Sequence, residues 1–388
     1  MNRRSFLKVT TTAGAALLSR RVPARAPVTR TQWVVRESEG FDALSFLSPL
    51  SGDPFYLDYY KDAVAAFEPR MPRAAMATLK ALLQRAQSAQ ILLSPFLDVR
   101  FSAASDRTIE DLLASAADPD GKLLPAFRAS PYWDESDREA WPQFRAALPA
   151  LASILESMKA AGFGEFRERI FAPKRSHIES LRTKLAGFDP IAGAEFYTGR
   201  ELDPTIEIVL LEFCKPHGIK ITGQRFLSAI DWPEDVHIRT AGHEILHPPL
   251  DRKGPAFTAA LKVLEQDALL ARIVKEHDPK FGYNALDGLL EEDLVSALDQ
   301  LIAERFGVAR NPRDRWNSVD DGMHLLSAGL YGLMKQDGYA RSGGNLERWL
   351  LRQATSDALE PGSLHSSAAR VLGRPIDRLW PLPISPKA

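Results

Sequence analysis

The chain has 388 residues, enough for one large domain or two medium ones, and its 45% hydrophobic content can supply a core. Its 49 basic and 50 acidic residues leave a formal net charge of -1, which excludes an overall field that would draw the chain onto nucleic acid or an anionic membrane surface. The single cysteine, Cys214, excludes an internal disulfide and a cysteine-based metal cluster, so any metal must sit on histidines and carboxylates.

The chain begins Asn2-Arg3-Arg4-Ser5-Phe6-Leu7-Lys8 after the initiator, continues through a weakly apolar stretch at 9–18, and then reads Ala24-Arg25-Ala26, the small-x-small form of a cleavage site. Residues 1–26 resemble a twin-arginine export signal, and Arg20 and Arg21 after the apolar stretch fit that route. The resemblance implies a periplasmic or secreted protein, exported already folded. An apolar stretch of about ten residues is too short to cross a hydrocarbon core of roughly 30 Å as a helix, so no stable membrane anchor is expected.

In the mature chain, residues 32–35 read as a short strand, and the Gly, Ser and Pro residues up to Pro54 read as a loop. Helical spacing of apolar residues follows at 57–67, 73–86, 107–116 and 141–161, the last carrying Phe144, Leu148, Leu151, Leu155 and Met158 on one face. These stripes are core surfaces. The character changes at Thr205. Residues 206–213 favour a strand, and 219–221 with 224–230 suggest returning strands of a small sheet, with Cys214 as a core residue rather than a nucleophile. Asp231-Trp232-Pro233-Glu234 supplies a capping residue, a proline suited to a first turn and an acid that complements the helix dipole. A helix should therefore run from about Pro233 to His247, where Pro248 and Pro249 stop it. Further helices are expected at 256–276, 287–305, 319–335 and 346–358, with a tail after Pro361.

No repeat or long linker divides the chain, which reads as predominantly helical α+β. The expected organisation is a signal at 1–26, a mainly helical region at 27–200, a region built around the small sheet at 201–340, and a C-terminal helix and tail at 341–388.

The chemistry is concentrated in His243-Glu244-Ile245-Leu246-His247. Histidines four apart on a helix share a face, one turn apart, and can bind one metal ion through neutral imidazoles. Glu244 is displaced by one residue on the same face, near the open coordination position where a general base is needed. Two histidines are one ligand short of a catalytic zinc, which takes three from the protein and leaves the fourth position to water. The helix at 287–305 offers acids in Glu291-Glu292-Asp293 on an otherwise apolar segment.

Together these motifs resemble the gluzincin type of HExxH zinc metallopeptidase, in which the histidine helix follows an edge strand and a later helix adds a metal-binding glutamate. The resemblance covers about 206–305 and implies a zincin-like sheet, His243 and His247 as ligands of Zn2+, Glu244 as general base, Glu292 as third ligand with Glu291 as its rival, and a peptide or protein substrate. The family also places an aspartate four residues after the ligand to orient the first histidine, whereas Val295 and Ser296 stand at and around that place here. Tyr283, His324, Tyr331 and Arg239 are candidates for stabilising an oxyanion, and none is singled out by sequence. His237 reads as a structural group or one behind the ligands. The alternative reading is an exported, non-catalytic binding domain that keeps the scaffold, in which case the imidazoles and acids need not converge on a cleft.

Overall fold

The computed structural model describes residues 29–381, apart from 90, 131, 132, 134, 217, 248, 279, 280 and 282. The export-signal segment at 1–26 lies outside the described residues. Within them the protein is mostly helical around a four-stranded mixed sheet, and no helix is long and apolar enough to cross a membrane.

The strands are β1 (Gln32–Glu37), β2 (Thr205–Leu211), β3 (Ile219–Ile221) and β4 (Arg225–Ala229), in spatial order β1-β2-β4-β3. β1, β2 and β4 run parallel, and β3 lies antiparallel to β4 at one edge. The turn joining β3 to β4 contains Gly223 at φ +74°, a left-handed conformation that glycine takes without a Cβ penalty.

Alternation along the strands builds two cores, one on each face. Ile206, Ile208, Leu210 and Phe226 join the cluster formed by helices after residue 175, while Val209, Leu211, Leu227 and Ala229 join the cluster formed by helices between 39 and 171. The central strand β2 is therefore apolar on both faces, as a parallel strand covered by helices on both sides requires. β1 comes from the start of the chain but pairs with β2, so the first helical layer is tied into the same sheet.

Several local expectations change. The stretch before Pro54 is not a loop: Glu39–Leu50 is a helix, capped by the Ser38 hydroxyl, which accepts from the Phe41 N–H at 3.0 Å. Its small polar residues serve close packing. A Cβ on Gly40 would collide with the Asp106 carbonyl, and Ser48 and Ser94 hydroxyls bond each other at 2.7 Å. Helices also form at Leu93–Phe101, Phe163–Phe171, Arg175–Leu185 and Pro190–Thr198, which periodicity did not single out.

The segment at 256–276 is two helices, Pro255–Leu264 and Ala268–Glu276, because Asp267 caps the second by accepting from Leu269 N–H at 2.8 Å. The helix expected at 319–335 begins only at Leu325, after a turn in which Asp320 and Asp321 are left-handed, and the one expected at 346–358 ends at Ala354. The residues after Pro361 are not a tail. Pro361–Leu372 is a helix started by a proline and ended by Gly373, and it packs so closely on Leu325–Gln336 that a Cβ on Gly332 would strike Ser367.

A buried ion pair locks the first helical layer to the sheet. Asp42 accepts from the Glu212 and Phe213 N–H groups at 2.7 and 3.1 Å, just past the end of β2, and from Arg167 Nε at 2.8 Å. Asp42 is fully buried and the Arg167 side chain nearly so. Removing Asp42 strips the nearly buried Arg167 of one of its two acids, the other being Glu37 at 2.5 Å, and leaves the Glu212 and Phe213 N–H groups without their acceptor. Asp42→Ala should lower the unfolding free energy by about 3 to 5 kcal/mol, read from the urea midpoint at unchanged slope. A loss below about 1 kcal/mol would show that the pair is not a lock.

Candidate metal centre

The helix carrying the His-Glu-x-x-His string runs from Glu234 to Glu244, shorter than sequence reading expects. Asp231 does not cap it; its carboxylate pairs with Lys215 Nζ at 2.5 Å, and Pro233 occupies the cap position with no side-chain bond. Glu234 and Asp235 fill the first turn, where the dipole favours acids. The C-terminal end tightens rather than continuing, with Leu246 N–H donating to the His243 carbonyl at 3.0 Å. His247 thus sits just beyond the regular helix, yet its ring still meets that of His243: the two Nε2 atoms are 3.3 Å apart.

Opposite them lies the helix Leu286–Phe306, whose Leu289, Leu290, Leu294, Val295, Ala297 and Leu298 are all fully buried. It packs directly on the histidine helix and ends at Gly307, φ +71°. Of its acids, Asp293 and Asp299 are buried and Glu291 and Glu292 are partly buried beside the histidines. Glu292 Oε1 stands 3.4 Å from His243 Nε2 and Glu292 Oε2 stands 3.8 Å from His247 Nε2. Among the described residues these three form the one group of His, Cys, Asp or Glu side chains brought together closely enough to hold a metal ion. Ligand atoms at about 2.0 to 2.1 Å from a tetrahedral cation stand roughly 3.3 to 3.4 Å from one another; the spacing between the imidazoles and that from His243 to Glu292 Oε1 match this, and that from His247 to Glu292 Oε2 is wider.

The far side of each imidazole is also occupied. Asp299 Oδ2 lies 2.7 Å from His243 Nδ1, and Glu291 Oε1 lies 3.3 Å from His247 Nδ1. Each nitrogen can donate to its carboxylate, which leaves Nε2 as the ligating atom. Of the two rival acids, Glu292 faces the Nε2 atoms, and Glu291 stands behind His247 with Arg252 Nη1 at 3.1 Å. Arg315 grips Asp299 through both terminal nitrogens, the Nη2 contact being 2.9 Å, and the Ser296 hydroxyl accepts from Arg315 Nη2 and Trp316 Nε1 at 3.1 Å each.

The orienting aspartate thus exists seven residues after Glu292 rather than four, and Ser296, at the expected place, holds the arginine that holds it. Sequence reading missed Asp299 and Arg315. A seven-residue step is two helical turns and keeps Asp299 on the Glu292 face, which was the available signal.

The acids around the imidazoles are partnered unevenly. Glu291 is balanced by Arg252, Asp299 by Arg315, and Asp293 by His324 at 2.5 Å, leaving Glu244 and Glu292 directed at the two imidazoles. Burial disfavours a charged His243, but Glu292 and the hydrogen bond and charge of Asp299 outweigh it, and the imidazole is pushed up to about 9. Burial, with a smaller contribution from Glu292, raises Glu244 above the ordinary carboxyl value against the pull of both histidines.

The other candidates separate. Tyr283 is at the site, hydrogen-bonded to Glu292, and holds a strained φ of +58°. His324 stacks edge-on against Tyr283, but both its nitrogens are engaged, by Asp293 and by Asp320 at 3.0 Å. Tyr331 binds Glu304 at 2.5 Å through its hydroxyl, and Trp316 lies against its ring. Arg239 shares a cleft of about 220 Å3 with His243 and Glu244. His237 is buried with Nδ1 2.8 Å from the Ser228 hydroxyl, a bond between the helix and β4, and Cys214 is buried in the core just after β2. Comparison with known proteins found no matching family model, curated protein or solved structure.

Two predictions follow from this geometry. Glu292→Gln should abolish stoichiometric metal binding, while Asp299→Asn should weaken it about 10- to 100-fold without abolishing it, as measured by chelator competition; equal metal content in the parent and Glu292→Gln would exclude Glu292 as a ligand. Because His243 holds a proton up to about pH 9, a cation must expel it. Metal affinity should rise with pH, and calorimetry at pH 7 in buffers of different ionisation enthalpy should record about one proton released per ion.

Proposed function

We propose that the protein is an exported, zinc-dependent peptidase of the gluzincin kind, with His243, His247 and Glu292 holding the ion and Glu244 acting as general base. The observation that carries this reading is the convergence of two Nε2 atoms and one carboxylate on a single point, with Glu244 beside it on the wall of a cleft. The ligand set of two imidazoles and a carboxylate suits zinc. When bound, zinc supplies the Lewis acidity that makes water a nucleophile near neutral pH.

Glu244 takes the proton from the attacking water and delivers it to the leaving amine. Asp299, fixed by Arg315, holds the His243 ring in one orientation. Glu291 does the same for His247. Tyr283 hydrogen-bonds Glu292.

The sheet supports a peptide substrate. β3 is an antiparallel edge strand, and Gly218 immediately before it lines the same cleft as Glu244. An extended chain pairing with that edge would run past the general base, with main-chain bonds giving affinity independent of side chains. The same convergence argues against the non-catalytic binding domain, for which a buried cluster of acids and imidazoles would be costly to keep.

Glu244→Gln separates metal binding from chemistry. The variant should keep its metal and lose peptide hydrolysis by at least about 10²- to 10⁴-fold in kcat. Equal cleavage of a casein or peptide substrate by variant and parent would overturn the assignment.

A further inference from the structure

Three arginines line the cleft beside Glu244. Arg239 comes from the histidine helix, and Arg310 and Arg315 from the segment that follows Leu286–Phe306; all three line the cleft with Thr240, His243 and Glu244. Their roles differ. Arg315 is consumed internally, bonding Asp299, Ser296 and the Gln300 side chain. Arg239 donates through Nη1 to Asp235 and to the Val308 carbonyl at 3.2 Å. Arg310 has no ion pair or side-chain hydrogen bond to any described residue, although its backbone carbonyl is anchored by Gln300 Nε2 at 2.9 Å.

A cation placed beside two others without an acid of its own is electrostatically unfavourable unless something anionic arrives. Partial burial and the charges of Arg239 and Arg315 together hold the Arg310 guanidinium below its ordinary value, against weaker support from Asp235 and Asp299. The remaining acid of the cleft, Glu244, interacts with His243 and His247 on its other side. The arginine end is thus positive, has a fixed backbone, and adjoins the general base.

We propose that Arg310, with Arg239 beside it, forms an anion subsite that takes a carboxylate of the substrate, so that the site selects acidic peptides or a free chain terminus over neutral ones. This rests on the peptidase reading above and names its substrate class. A planar guanidinium pairs with a carboxylate through two parallel N–H donors, which gives direction as well as charge. The two sources of that carboxylate, a Glu or Asp side chain and a C-terminus, share this chemistry.

The test uses the full mature protein loaded with zinc and an alanine-rich peptide in which a single Glu is walked along the sequence, beside a matching Gln set, each with a free or an amidated C-terminus. Cleavage is read by mass spectrometry, and binding by calorimetry on zinc-loaded Glu244→Gln. At one register Glu should exceed Gln in kcat/KM by about tenfold or more; if the terminus is the source, amidation instead should impose that loss. Arg310→Gln should collapse the ratio toward one and Arg310→Lys should keep part of it. Absence of any carboxylate preference, or a preference unchanged in Arg310→Gln, would overturn the subsite and leave the peptidase standing. If the parent cleaves nothing yet Glu244→Gln binds the acidic peptide in an Arg310-dependent way, the peptidase reading falls and the subsite stands.

Discussion

The structure depends on one packing relation: the short helix ending at Glu244 lies against the buried helix Leu286–Phe306, so that His243 and His247 face Glu292. A helix buried on nearly all sides has no surface on which to solvate its acids. Glu291, Glu292, Asp293 and Asp299 are tolerated there because each meets a specific partner. Three of them are answered by Arg252, His324 and Arg315, and the fourth converges with the imidazoles. The same requirement that makes the helix costly makes the centre specific, since a displaced partner would strand a buried charge.

Support for the centre reaches outward in two shells of different chemistry. Asp299 fixes the ring of His243, and Arg315, Ser296 and Trp316 fix Asp299 in turn. On the other histidine the support is looser: Glu291 is 3.3 Å away and its arginine partner is half exposed. His247 also stands beyond the last regular helical residue. Of the two imidazoles, His243 is therefore the more firmly held. Left-handed backbone at Tyr283 and Asp320 lies on the third-ligand side, where Tyr283 reaches Glu292 and Asp320 reaches His324.

The sheet connects this centre to the rest of the molecule. β4 leads into the histidine helix, Ser228 on β4 meets His237 inside that helix, and β2 buries both faces beneath the two helical layers. The first layer contributes no ligand. It contributes β1 and the Asp42 bond to the end of β2.

The sequence alone determined the parts whose physics is local. The spacing of His243 and His247, the acid between them, the strand-forming run beginning at 206 and the apolar period of the helix at 287–305 follow from rules acting within a few residues. It also narrowed the third ligand to two adjacent acids. Tertiary structure separates the two: Glu292 faces the Nε2 atoms of both histidines, and Glu291 stands on the Nδ1 side of His247. It likewise supplied Asp299, Arg315 and Arg310, whose roles arise from segments packing together rather than from any local pattern. The helix at Glu39–Leu50 and the one at Pro361–Leu372 were illegible for the same reason: their Gly, Ser and Pro residues signal turns locally, and only close contact with Asp106, Ser94 and Gly332 makes small residues the right ones for a helix.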